Sequence, residues 1–333
     1  MRSDTIGTMP RIVETYLRGE LERRQAKLQS ALASPFADPE LSALLGEVDS
    51  ALARFQNGTY GFCETCHDAI ERDRLLIDPL ARFCLDDLTE SERRALEHDL
   101  HLAARIQRGL LPPRHLPTPG WRVAYEYQPA GVVSGDYCDL FASHGELLFL
   151  CGDVSGKGVA ASLLMSHLHA TFRSLADAAL PLEEMVDAAN RIFLESTIAG
   201  QFATLVVGRA SSDGTVQLVN AGHLPVLHLS PAVLKPIGST GVPLGMFSNA
   251  HFSTQNLFLA PDEALLVYTD GATEAQDRSG NEFGIERLKA LASRHVSVDP
   301  ETLIKDCLEN LKRFTAGRPF GDDFTMLAIS RRR

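Results

Sequence analysis

Four short stretches set aspartates where an apolar run meets a turn: "VSGDYCDL" (Asp136, Asp139), "CGDVSGKG" (Asp153), "VYTDGATEA" (Asp270) and "FGDDFTML" (Asp322, Asp323). One Asp-Gly pair is an ordinary turn signal. Four in one half of a chain, each beside a strand-like run, are carboxylates that folding can gather at one end of a sheet. Oxygen ligands of this kind suit hard cations such as Mg²⁺ or Mn²⁺. Two such ions share and acidify a water, and clamp the attacking and leaving oxygens of a phosphoryl displacement. The glycines around Lys157 do not make a nucleotide cradle. A phosphate loop needs four residues between its glycines and a hydroxyl after the lysine, whereas Gly152 and Gly156 enclose three and Gly158 follows Lys157.

A second constellation is Cys63-x-x-Cys66 followed by Cys84-x-x-Asp87. This is the spacing of a two-knuckle zinc site with aspartate in the last place, and zinc accepts a carboxylate oxygen. His67 is an alternative fourth ligand. The remaining three of the six cysteines are scattered through apolar segments, so the pattern is a metal site rather than a disulfide framework.

These residues need elements to carry them. Residues 11–34 have helical periodicity through Val13, Leu17, Leu21, Leu28 and Leu32. After the proline-broken "ASPFADPE", a second helix runs through Leu41, Leu44, Leu45, Val48, Leu52 and Phe55, giving a helical hairpin. A third helix over 89–111 has Thr89 and Glu92 as its capping box, and Leu96, Leu100, Ala103, Ile106 and Leu110 along one side. From Trp121 onward, short runs such as "GELLFLCGDV", "FATLVVGRA", "TVQLVNAGH" and "EALLVYTDG" read as strands. Helices are expected between and after them, over 158–179, 181–197, 284–294 and 300–315. The expected fold class is α+β, a layered β-sandwich flanked by helices. It follows a helical hairpin with a small finger (1–88) and a linker helix (89–113), the sandwich domain being 114–333.

At 333 residues, 44% hydrophobic and 23% charged, the composition is that of a globular protein with more than one domain. A net charge of −11 argues against nucleic acid as the ligand. No apolar run approaches a membrane span, and the polar start lacks the apolar core of a secretory signal, so a cytoplasmic protein is expected.

The stretch 101–332 resembles the metal-dependent (type 2C, PPM) Ser/Thr protein phosphatases, in their bacterial SpoIIE/RsbU-like branch. The resemblance rests on "AARIQRGLLP", "VSGDYCDL", "GDVSGKGVAASLL", "NAGHLPVLHL", "GVPLGMF", "LLVYTDGATEA" and "GDDFTML", in that order. It implies that Asp153 bridges two Mn²⁺ or Mg²⁺ ions with the carbonyl of Val154 nearby. Asp136, Asp270 and Asp322 would be the other ligands, with Asp323 the second choice for the last place. Lys157 either steers a phosphate or is an exposed turn lysine, and Asp139 orients the neighbouring turn. His223 of "NAGH" is either a general acid or a structural histidine, the latter favoured. The branch also implies a phosphorylated protein substrate of the STAS (anti-anti-sigma) type and an activity switch in the segment before the catalytic domain; the apolar side of the 89–111 helix adds the expectation of a homodimer.

Residues 11–88 resemble the DksA/TraR zinc-finger family, on "NGTYGFCETCHDAIERDRLLIDPLARFCLDD". That implies one structural Zn²⁺ on Cys63, Cys66, Cys84 and Asp87. Members bind RNA polymerase through acidic residues at the hairpin tip. The tip here, "SPFADPE", lacks the paired aspartates. A polymerase-binding regulator with a non-catalytic phosphatase-like half is therefore the alternative reading, not the first.

Overall fold

The structure, a computed structural model, describes residues 11–32, 39–85, 90–197, 200–231, 233–295 and 299–332. The chain forms two compact units, Met1–Asp99 and Leu100–Arg333.

In the first unit, α1 (Arg11–Leu32) and α2 (Pro39–Gln56) pack as the expected hairpin. Val13, Leu17 and Leu21 of α1 bury against Val48 and Ala51 of α2, the i, i+3/i+4 face that the periodicity predicts. Leu44, expected on that face, is exposed instead. The finger follows, with a short helix α3 (Arg72–Ile77) that the apolar spacing did not reveal. Arg54 of α2 holds it from below, donating to the carbonyls of Ala81 and Leu80. The Tyr60 hydroxyl donates to Pro79 O at 2.8 Å, and its ring stacks on Phe55. Thr89 and Asp87, assigned to a helix cap and a zinc ligand above, lie outside the described residues, as does most of the hairpin tip.

Helix α4 (Glu90–Leu110) runs into the second unit, which is built on two five-stranded antiparallel sheets. One sheet has the order β1 (Trp121–Gln128), β10 (Phe324–Arg331), β9 (Ala264–Tyr268), β6 (Val226–Leu229) and β7 (Leu234–Ile237). The other has β2 (Asp136–Ser143), β3 (Glu146–Val154), β4 (Ala203–Ala210), β5 (Thr215–Ala221) and β8 (Gln255–Phe258). Helices α5 (Gly158–Ala176) and α6 (Leu182–Ser196) cover the second sheet, and α7 (Ile285–Ala292) and α8 (Pro300–Phe314) cover the first.

This layering explains why the strands read as unbroken apolar runs. In β3, Leu147, Phe149 and Cys151 enter the core between the sheets, while Leu148 and Leu150 enter the core under α5 and α6. Alternate side chains point to opposite faces, and here both faces are covered. The α+β sandwich with outer helices is the expected fold class.

Candidate metal centre of the sandwich domain

The aspartates of all four motifs come to the same end of the sandwich. Asp136 opens β2 and Asp153 stands near the end of β3, and the antiparallel register pairs them directly. Asp270 begins a 3₁₀ turn immediately after β9, and Asp322 and Asp323 lie just before β10, so the opposite sheet supplies the remainder. Gly271 lets the last two turns meet. A Cβ there would lie 2.1 Å from the carbonyl oxygen of Asp323, so only glycine permits the approach. The turn from β3 into α5 is also glycine-dependent, with Gly156 and Gly158 at φ of 96° and 73°.

The Asp136 carboxylate is almost wholly buried and is gripped on one side only. Its Oδ2 accepts from Thr269 Oγ1 at 2.9 Å and from Thr325 Oγ1 at 2.5 Å. Its Oδ1 is buried with no hydrogen-bond partner. A bare carboxylate oxygen in the interior is costly unless a cation or proton meets it. Burial first, then the charge of Asp153, pushes the Asp136 carboxyl well above its ordinary range. Burial likewise raises Asp153 to about 7, helped by Asp270, Asp322 and Asp323. Asp270 is raised by burial and then by Asp322. Carboxylates that repel one another in this way form a site whose charge a cation or a proton relieves. Among the described residues, no three carboxylates bring one oxygen each within 4.8 Å of one another.

Asp323 has a different job. Its two oxygens accept from the backbone N–H groups of Ala130 and Gly135, at 2.8 and 2.9 Å, which ties the segment before Asp136 to the start of β10. Asp322 instead accepts from Asp323 N at 2.9 Å through Oδ1 and from Lys157 Nζ at 2.8 Å through Oδ2. Lys157 is exposed, as a turn lysine should be, yet its Nζ lies 2.8 Å from Asp322 Oδ2, across the site mouth. Asp139 does not orient the neighbouring turn. It is fully buried and accepts two bonds from Arg173 of α5, at 2.6 and 2.7 Å, so it anchors that helix to β2.

His223 is structural in its geometry. Its Nε2 lies 3.0 Å from the Tyr268 carbonyl, which can only accept, so Nε2 carries the proton and Nδ1 accepts from Thr204 Oγ1 at 2.8 Å. Both nitrogens are thus committed between β4 and β9, and burial lowers its pKa to about 4.

Three contributors carried no sequence signal. Thr269 and Thr325 look like ordinary strand residues. Gln107 looks like a surface position of an amphipathic helix. Yet Gln107 is buried, donating to Ser134 O at 2.7 Å and accepting from Ser134 N at 3.0 Å. The Ser134 hydroxyl in turn accepts from Asp136 N at 3.0 Å, so α4 is bonded to the turn that presents Asp136.

In the finger, the sulfurs of Cys63, Cys66 and Cys84 all lie within 4.8 Å of one another, and Cys66 and Cys84 are 3.6 Å apart. A tetrahedral zinc with Zn–S of about 2.3 Å has sulfur–sulfur edges of about 3.8 Å, so the three thiols fit that ion. His67 is not part of the cluster.

The comparisons with known proteins agree with this geometry. Residues 143–332 match the family model for Stage II sporulation protein E (SpoIIE), and residues 58–86 match the prokaryotic dksA/traR C4-type zinc finger. Protein IcfG of Synechocystis sp. is 28% identical over 70% of this chain and 41% of its own length. Phosphoserine phosphatase RsbU of Bacillus subtilis is 22% identical, over 72% of each chain. Among solved structures, the RsbU and RsbW domains of a Mycobacterium tuberculosis protein superpose with a TM-score of 0.58 at 32% identity, over 66% of this chain and 62% of that one. The chain thus spans less than two thirds of the first of the curated relatives and of that solved chain. No helix among the described residues is long and apolar enough to cross a membrane. With one family model matching more than half its length, the chain belongs to the SpoIIE family.

Proposed function

We propose that this protein is a metal-dependent Ser/Thr phosphoprotein phosphatase acting on a phosphorylated regulatory protein of the STAS type. The observation that carries the reading is the buried Asp136 carboxylate with one oxygen held and one bare, beside Asp153, Asp270 and Asp322. Asp136, Asp153, Asp270 and Asp322, with the Val154 carbonyl, would hold two Mn²⁺ or Mg²⁺ ions. Such ions supply Lewis acidity and an acidified water at neutral pH. The chain's own part is to aim the carboxylates from two sheets at one place. Lys157, exposed and paired with Asp322, places a positive charge beside the aspartates.

The similarity to a protein named phosphoserine phosphatase supports the substrate chemistry, and the branch resemblance supports the STAS partner. Retention of all four ligand aspartates counts against a polymerase-binding regulator with an inert second half. The proposal includes a cytoplasmic setting, one structural zinc on Cys63, Cys66, Cys84 and Asp87, and a homodimer through which the N-terminal module regulates turnover.

The test is release of phosphate from a phosphoserine-bearing STAS protein. Turnover should require Mn²⁺ or Mg²⁺ and stop with chelator. Asp153→Asn should lower it by roughly a hundredfold or more, beyond the loss usual for an outer partner of a metal ligand. Near wild-type turnover in Asp153→Asn would overturn the assignment.

A further inference from the structure

We infer that Thr269 and Thr325 set the cation selectivity of the aspartate site, by restricting Asp136 to a single free oxygen. The inference rests on the metal-site reading above and concerns which ions that site accepts.

The hydrogen-bond directions are fixed by the donors. The backbone N–H of Thr325 donates to Thr269 Oγ1 at 2.9 Å, so that oxygen is already an acceptor and its one hydrogen is free to point at Asp136. Thr269 Oγ1 then donates to Asp136 Oδ2 at 2.9 Å. Thr325 Oγ1 donates to the same Oδ2 at 2.5 Å. A carboxylate oxygen has about two lone-pair sites. Both sites on Oδ2 are taken, and Oδ1 has none of its own taken. Neither threonine can turn away cheaply, because both hydroxyls are in the buried interior where β9 and β10 pair.

Asp136 can therefore offer a cation one oxygen but not two. That restriction discriminates between ions. Mg²⁺ and Mn²⁺ take octahedral oxygen shells that one-oxygen carboxylates satisfy. Ca²⁺ is larger, takes six to eight oxygens and commonly gathers them through two-oxygen carboxylates. Holding Oδ2 in place thus penalises calcium more than magnesium. The two threonines come from the strand ends that also present Asp270 and Asp322, so the grip forms with the site itself.

The experiment is calorimetric titration of the zinc-loaded full chain with MgCl₂, MnCl₂ and CaCl₂, which needs no turnover. Thr269→Val and Thr325→Val, singly and together, remove the donors while keeping the side-chain shape. The ratio of calcium to magnesium dissociation constants should fall at least tenfold in the double variant and part-way in each single one. Thr269→Ser and Thr325→Ser keep the hydroxyls and should stay within threefold of wild type. They also serve if the double valine variant fails to fold, since then the single valine and serine variants carry the comparison. An unchanged calcium-to-magnesium ratio in folded valine variants would overturn the selectivity role and leave the metal site standing. Absence of Mg²⁺ and Mn²⁺ binding to wild type would overturn both.

Discussion

Asp153 sits where burial and three neighbouring aspartates all disfavour its charge, and its carboxyl is raised to about 7. The sign of the consequence follows from linkage. A carboxylate with a folded pKa above its unfolded value stabilises the fold below the unfolded pKa, near 4, and loses that contribution as pH rises through about 7. Metal-free Asp153→Asn should therefore melt at a higher temperature than metal-free wild type at pH 8, with the gap closing towards pH 4. Added Mn²⁺ should raise the wild-type melting temperature and barely move the variant; scanning calorimetry at several pH values with and without chelator reads both. His223 runs the other way, because its folded pKa is lowered to about 4. Its contribution is complete above the unfolded value near 6.5 and is lost as pH falls through about 4. Cutting it back to alanine orphans the bonds to Thr204 and Tyr268, which should cost on the order of 1–3 kcal/mol in denaturant unfolding. Turnover should fall less than in Asp153→Asn, and equal losses would return His223 to the chemistry. The aspartates were legible because four strand-end turns in one half of the chain carry them, whereas one alone is ordinary. Thr269 and Thr325 were not, because threonine in a strand is what β propensity alone would supply.

The elements were legible where one face or two faces are apolar throughout. The run "ELLFLCGDV" could be assigned to a buried strand, and Asp136 could be placed at a strand end. Its register opposite Asp153 depends on the pairing of β2 with β3 and has no local signal. Helix α4 shows the reverse case. Its apolar spacing pointed to Leu100, Ala103, Ile106 and Leu110, whereas the residues it buries are Ala104 and Gln107. A polar side chain that satisfies two backbone groups of Ser134 is invisible to a hydrophobicity pattern. Replacing Gln107 by alanine should leave those groups unpaired at a cost of about 1–3 kcal/mol. Because Ser134 also holds the Asp136 N–H, Mn²⁺ affinity should drop by roughly tenfold, as for an outer partner of a ligand. Calorimetric Mn²⁺ titration at unchanged circular dichroism checks this, and unchanged affinity would make Gln107 a packing residue only. The finger depends on metal in its own way. Its core is small, and small metal modules draw folding energy from the ion. Removing about one zinc per chain should abolish the thermal transition of the N-terminal unit before that of the sandwich, and metal analysis of Cys63→Ser and Cys84→Ser should show the ion gone.

At the scale of the whole molecule, the two units are joined through a helix that is itself part of the site's scaffold. Helix α4 spans the boundary between them, and its end is bonded to the turn before Asp136. Within that helix, the expected stripe is only partly covered among the described residues. Ile106 is 60% exposed and Leu96 39% exposed, while Leu100, Ala103 and Leu110 are half-buried. Leu102, outside the stripe, is 40% exposed as well. Each apolar Å² removed from water is worth about 25 cal/mol, so such a row stabilises any partner that covers it. Two short heptads are too few to hold a coiled pair alone, which makes the N-terminal hairpins the natural extension of a two-fold interface. The expectation is a homodimer, in which pairing of two α4 helices biases the position of Gln107 and so of Asp136. Changing Leu100 and Ile106 together to glutamate should dissociate the dimer and change turnover in the same variant. Light scattering at micromolar concentration would exclude the dimer by showing wild type as a monomer. Dissociation with unaltered turnover would separate the two roles, leaving α4 as an adhesive surface whose bond to Ser134 only holds the site in place.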